Sequence, residues 1–214
     1  MINRLTGEMD FQTQALVLRS ERQKLLYLER TADELDQAIS LHVIAAPGDD
    51  VVLPRVSKHV DFECELAAVI GRTTRKVSEA QALDYVFGYT ILWDLSQRDP
   101  WGIGKQNTRN IRKGFDTFTA IGPWIVTADE IPDPHTLRFH VEQNGKTVME
   151  AYTGDMICNL RDHIRFLSDA LTLRPGTVIS TGTPAGVQRL APGDRLKGTM
   201  EKIGSMELGV IADR

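Results

Sequence analysis

The sequence is poor in cysteine, has no excess of basic residues and contains no long apolar run. Its two cysteines, Cys64 and Cys158, stand alone in 214 residues. They match neither a zinc-ligand spacing nor a disulfide framework, and they fit a reducing, cytoplasmic setting. Acidic residues outnumber basic ones, 29 to 25, for a net charge of −4. Nucleic acid and anionic membrane are therefore not expected as partners. No stretch approaches the ~18 apolar residues of a membrane span, and no charged-then-apolar leader opens the chain. Nothing repeats at a fixed period, which argues against a solenoid or propeller.

What is present is an ordinary globular balance, 42% hydrophobic and 25% charged. A chain of this length buries roughly 70% of the surface its unfolded form exposes, enough for a core without staples. Residues 20–40 contain neither Gly nor Pro. Within them Leu25, Leu28, Ala32, Leu35 and Ile39 recur in steps of three and four among charged residues, the pattern of an amphipathic helix. The texture changes at the turn Pro47-Gly48-Asp49-Asp50, which precedes the short apolar run Val51-Val52-Leu53. The division expected is a helical segment over 1–45 and one further domain over 46–214.

Beyond the turn, β-rich segments at 62–70, 86–92, 124–126, 137–142, 147–151, 177–180 and 197–200 are punctuated by Gly and Pro. Asn144-Gly145 between two of them signals a tight hairpin. Helices are expected at 78–85, with Ser78 as N-cap, and at 159–171, with Leu160, Ile164, Leu167, Ala170 and Leu171 on the apolar face. Strands outnumber helices too far for a regular βαβ alternation. The fold class is mainly β or α+β, not a doubly wound sheet.

Four stretches carry chemistry. In Val60-Asp61-Phe62-Glu63-Cys64-Glu65-Leu66 the apolar side chains take one face and the carboxylates the other. Cα atoms two apart on a strand are roughly 6.6 Å apart, and Glu side chains can converge from there on one cation. All-oxygen ligands favour Mg²⁺, Mn²⁺ or Ca²⁺ over zinc. Taken alone, the same pattern also describes a solvated polar face. Asp94 ends the apolar run 88–93, where a carboxylate serves equally as a ligand or as a helix N-cap. Arg112-Lys113-Gly114 can bring an ammonium to a bound anion, or be a plain loop. Thr181-Gly182-Thr183-Pro184 follows a strand and offers hydroxyls and free N–H groups to a carboxylate, or is only a turn.

In order, "VDFECELAAVIGR", "GYTILWDLSQRD", "RKGFDTFTAIGPW", "NGKTVMEAYTGDM", "VISTGTPAGV", "APGDRL" and "EKIGSMELGV" resemble the fumarylacetoacetate hydrolase family over about residues 47–210. The resemblance implies a mixed β-sandwich roll, usually dimeric, so a homodimer is expected. It implies metal ligation by Glu63, Glu65 and Asp94, with Mg²⁺ or Mn²⁺ as the cofactor and Ca²⁺ also compatible. Lys113 would polarise substrate oxygens or stabilise an enolate. Thr117 would lie near the metal shell, Thr181 and Thr183 would contact the substrate carboxylate, and Arg98 would sit near the site. The implied substrates are small oxo acids, 2-oxo or 2-hydroxy-dienoic dicarboxylates. The implied reaction is of the 2-hydroxyhepta-2,4-diene-1,7-dioate isomerase or 5-carboxy-2-oxohept-3-enedioate decarboxylase type, with C–C hydrolysis of fumarylacetoacetate or acylpyruvate type as the alternative.

The sequence also departs from that pattern. The family's Asn-Tyr-x-x-His-x-x-Glu lid stretch is missing upstream. His42 and His59 read as structural histidines, Trp101 replaces a frequent Gln, and Arg112 replaces the Gly before the lysine. A lid-less, inactive metal-binding homologue that partners a complete subunit is therefore a third reading. The first 25 or so residues resemble the N-terminal helix of flagellar basal-body rod proteins, without its Asn-Ile-Ala-Asn continuation.

Overall fold

The computed structural model describes residues 44–99 and 112–213. The helix expected within 20–40, the flagellar-like stretch, His42 and Trp101 lie outside them. Only residues 44 and 45 of the segment expected over 1–45 are described. The rest is mostly strand: β1 (Ile44–Ala45), β2 (Asp50–Leu53), β3 (Val60–Asp61), β4 (Cys64–Ile70), β5 (Val86–Asp94), β6 (Ser96–Gln97), β7 (Thr119–Thr127), β8 (Arg138–Gln143), β9 (Lys146–Tyr152), β10 (Val178–Ser180), β11 (Arg195–Met200) and β12 (Gly204–Ala212). Two five-stranded sheets result, in the orders β1-β7-β5-β4-β10 and β2-β12-β11-β8-β9, with a separate ribbon β3-β6. Pairing is antiparallel except at β1–β7 and β2–β12. The expected mainly-β, mixed sandwich is what forms.

Alternation decides which face of β4 and β5 enters the core. Phe62, Cys64 and Leu66 point inward, as do Tyr89, Ile91 and Trp93 across the register that sets Cys64 opposite Trp93. Phe62 and Trp93 meet edge to face at 5.9 Å. Facing them are Phe139, Val141, Leu196, Met206 and Leu208 of the second sheet. Gly198 of β11 lets the sheets approach, because a Cβ there would lie 2.8 Å from Trp93 Cζ2 and 2.9 Å from Cys64 Sγ.

The hairpin expected at Asn144-Gly145 joins β8 to β9, both residues taking positive φ (+55° and +75°) as a tight turn requires. The strand expected at 62–70 is interrupted. Residues 60–61 pair with β6, and the β4 ladder begins at Cys64. The short β1 and β6 went unread, as did β2, whose apolar run finds its partner in β12, and β12 itself.

The helix expected at 159–171 is α1 (Leu160–Ala170). Asn159 caps it by accepting from the Arg161 and Asp162 N–H groups (2.8 and 3.2 Å), and Asp162 accepts from the Asn159 N–H (3.0 Å). Its buried stripe is narrower than expected. Leu160, Ile164 and Ser168 are buried and Leu167 packs on the core, while Ala170 and Leu171 face outward. Residues 79–85 form a 3-10 helix, not an α-helix, and the Ser78 side chain caps no backbone N–H. No helix among the described residues is long and apolar enough to cross a membrane.

Candidate metal centre

The outward face of β4 and the end of β5 bring the acidic residues together. Glu63 leads into β4, Glu65 is its second residue, and Asp94 closes β5, with the Asp94 N–H donating to the Glu63 carbonyl at 2.8 Å. Each offers an oxygen, and these oxygens all lie within 4.8 Å of one another. Asp94 therefore serves the cluster, not a helix cap. The ExE face is not a solvated one either, since Glu65 is only 2% exposed.

Lys113 reaches the same point from the loop before β7. Its ammonium donates to Glu63 Oε2 (2.8 Å), Asp94 Oδ2 (2.5 Å) and Ser96 Oγ (2.8 Å). Arg98 lies beside them, with Nε on Asp61 Oδ2 (2.9 Å) and Nη2 on Glu63 Oε1 (2.5 Å). Glu65 is held from the other side. Its Oε2 accepts from the Ser180 hydroxyl and from the Gly182 N–H (2.8 Å). Gly182 takes φ +90°, a backbone that glycine alone adopts freely, and this aims its N–H at the carboxylate.

The threonines do something other than line up on the cluster. The Thr181 hydroxyl donates to the Leu66 carbonyl (2.7 Å) and that of Thr183 to the Cys64 carbonyl (3.0 Å). They sew the turn after β10 onto the acidic strand. The Thr117 hydroxyl donates to the Asp116 carbonyl (2.6 Å) and accepts the Val52 N–H (2.9 Å), so it anchors β2. The 181–183 turn also lines a cavity of about 360 Å³ with Leu66, Phe139 and Tyr152.

The electrostatics distinguish the carboxylates. Burial pushes the Glu65 carboxyl up to about 7, and the charges of Asp94 and Glu63 add to this against the Ser180 and Gly182 donors. Burial also raises Asp94, outweighing Lys113. Glu63 is pushed up by burial but held below the usual range by Lys113 and Arg98. Burial would lower the Lys113 ammonium, yet Asp94 and Glu63 keep it above its ordinary value. A buried carboxylate with two more at its side is a costly arrangement for three anions alone. The donor set, three oxygen ligands with surplus negative charge, fits a hard divalent cation.

Ser96 and Ser180 belong to this site without having been singled out, and Asp61, read only as one of the carboxylates on the acidic face, joins it through Arg98. Ser180 sits opposite Ala67, diagonal to Glu65. That relation is invisible until the pairing of β10 with β4 is known. Asp61 and Ser96 each lie two residues from a chosen acid on the same strand path, a period-two signal that was available.

Comparison with known proteins agrees with this arrangement. The sequence model of the family described as fumarylacetoacetate (FAA) hydrolase C-terminal matches residues 39–211. An uncharacterized protein of Pyrococcus horikoshii is 40% identical over 180 residues, covering 79% of this chain and 74% of its own length. Maleylpyruvate hydrolase from Sphingobium sp. SYK-6, in complex with manganese(II) ion and pyruvate, superposes with TM-score 0.75 at 37% identity, over 81% of this chain and 63% of that one. The 2-hydroxyhepta-2,4-diene-1,7-dioate isomerase from Mycobacterium marinum gives TM-score 0.75 at 40% identity, over 82% and 68%. The chain thus spans somewhat under two thirds of the Sphingobium enzyme.

Proposed function

The chain belongs to the fumarylacetoacetate hydrolase family, and from that premise we propose that it is a divalent-metal-dependent enzyme acting on 2-oxo or 2-hydroxy-dienoic acids through an enolate. The observation that carries this is the meeting of three carboxylates around one lysine. Glu63, Glu65 and Asp94 would hold Mg²⁺ or Mn²⁺. Such an ion, when bound, supplies Lewis acidity to a chelated 2-oxo carboxylate. The Sphingobium hydrolase holds manganese(II) and pyruvate, a small 2-oxo acid, which supports the pairing of this metal class with this head group.

The chain's own residues then have defined tasks. Lys113 stays an ammonium, so it serves as a fixed positive charge where an oxyanion develops and not as a base. Ser96 and Asp94 aim it. Ser180 and Gly182 hold Glu65 in place. The cavity beside the 181–183 turn offers apolar room for the carbon chain of an oxo acid. Protonation of the enolate at a different carbon gives isomerisation; where loss of CO₂ from a carboxylate β to the carbonyl leaves the electron pair that forms the enolate, its protonation completes a decarboxylation. C–C hydrolysis is the second reading, favoured by a likeness to the maleylpyruvate hydrolase as close in fold as that to the isomerase. A homodimer is proposed with it, checked by sedimentation equilibrium.

The test is turnover of oxaloacetate, acylpyruvates and hydroxymuconate-type acids by the purified chain with Mg²⁺ or Mn²⁺. Asp94→Ala should lower turnover by roughly two orders of magnitude or more with the fold intact by circular dichroism. Unchanged turnover in that variant sinks the reading.

A further inference from the structure

Two cationic side chains touch Glu63, and they differ in how they are held. Lys113 ends at the cluster itself. Arg98 bridges outward: Nη2 donates to Glu63 Oε1 (2.5 Å) while Nε donates to Asp61 Oδ2 (2.9 Å). The other oxygen of Asp61, Oδ1, meets His59 Nε2 at 2.8 Å. The result is an unbroken row, His59–Asp61–Arg98–Glu63, from the rim into the cluster. Asp61 and Glu63 are mostly buried at their side chains, 15% and 13% exposed.

The backbone sets this row. His59, Asp61 and Glu63 alternate along one strand path. The β3–β6 ribbon places Asp61 opposite Ser96 and Val60 opposite Gln97, and the Arg98 N–H donates to the His59 carbonyl at 2.8 Å. Arg98 therefore leaves the ribbon alongside the acids. A planar guanidinium can bond two carboxylates at once in fixed geometry, which an ammonium does only loosely.

We infer that Asp61, acting through Arg98, is a positioning residue for the metal centre: it holds the guanidinium on Glu63 Oε1 and so fixes the orientation in which the Glu63 carboxylate would meet a cation. This rests on reading Glu63, Glu65 and Asp94 as the ligands. It fixes a sign that charge alone would reverse. A guanidinium beside Glu63 repels a second cation, so on Coulomb grounds removing Arg98 tightens metal binding. Positioning demands the opposite, because a ligand freed from its outer partner binds metal less well, by about 10–100-fold in comparable sites.

The experiment is Mn²⁺ titration of the full chain followed by the electron paramagnetic resonance of free Mn²⁺, which needs no turnover. Arg98→Gln and Asp61→Ala should each weaken binding about tenfold or more. The double variant should be no weaker than Arg98→Gln alone, since both act on one contact. Asp61→Asn, whose carbonyl can still accept from Arg98, should recover part of the loss. Tighter or unchanged binding in Arg98→Gln overturns the inference, as do losses that multiply in the double variant. Melting curves accompany each protein. Should Asp61→Ala fail to fold, Arg98→Gln and Arg98→Lys decide it together, weakened binding in both supporting the inference and wild-type affinity in either overturning it. A wild-type chain that binds no Mn²⁺ refutes the ligand assignment itself, a result distinct from a failure confined to the variants.

Discussion

Asp194 shows how much one exposed-side acid can organise. Its Oδ2 accepts from the Ala191 N–H and from Gln143 Nε2, and its Oδ1 from Asn144 Nδ2, each at 2.8 Å. The β8–β9 turn is thereby tied to the turn before β11. Burial pushes its carboxyl up, but the Asn144, Ala191 and Gln143 donors win and hold it below the usual range. A depressed folded value means that the native chain binds its proton less readily than the unfolded chain. The contribution is then complete above about pH 4, the unfolded Asp range, and disappears as pH falls through the folded value. Asp194→Asn should therefore be less stable than wild type by about 1 kcal/mol at neutral pH. Urea midpoints taken from pH 6 down to pH 2 should show that gap closing. Gly198→Ala tests the opposite kind of residue. A methyl group has no room between Trp93 and Cys64, and overpacking should cost about 1–3 kcal/mol, read from the same denaturation curves. At this scale the acids were legible because period-two alternation sorts a strand's faces without knowledge of its partners. Ser180 was not legible, because its relation to Glu65 depends on which strand β10 joins. Nor were the Val52 N–H on Thr117 and the hydroxyl partners of Thr181 and Thr183, which lie on backbone supplied by other strands.

Among elements, α1 is the clearest case of local sequence deciding local structure. Asn159 and Asp162 form a complete capping box, and the apolar residues at 160, 164 and 167 select the buried side. Asn159→Ala should lower stability by about 1 kcal/mol, measured by thermal or urea unfolding, with the strands unaffected in the far-ultraviolet spectrum. β4, β5, β8, β9 and the Asn144-Gly145 hairpin were readable for similar reasons, since turn chemistry and alternation both act over a few residues. The 3-10 segment and β12 were not. Residues 79–85 follow a serine and contain helix formers, but with Ala82 as their one buried residue they give an α-helix little to pack. β12 contains Gly204, Glu207 and Gly209 and becomes a strand because β11 and β2 flank it. Tertiary partners overrode a weak local preference in β12.

For the whole molecule, the acidic cluster couples ligand to stability. Anything that binds only the folded chain stabilises it by mass action, about 2.7 kcal/mol at a hundredfold excess over Kd. Calorimetry with saturating Mn²⁺ should therefore raise Tm by about 5–10 °C for a chain of this size. Glu65→Gln should lose most of that rise while folding normally in the absence of metal, because the buried carboxylate at position 65 is already costly there. A rise of equal size in both proteins would place the ion elsewhere.

The parallel pairing of β2 with β12 has a temporal side. Asp50 aligns with Gly209 and Leu53 with Ala212, so a strand near the start of the described fold has as its partner one at the very end. Contact order is high by construction. Closing so long a loop adds little to the equilibrium cost, which grows only logarithmically with length, but it slows the search for the native pairing. During synthesis, β4 and β5 can pair as soon as both have emerged, with Glu63, Glu65 and Asp94 already adjacent. The second sheet cannot be completed until the last strand leaves the ribosome. Among the described residues the ligand cluster is thus one of the earlier contacts to become available, and the pairing of β2 with β12 is among the later ones.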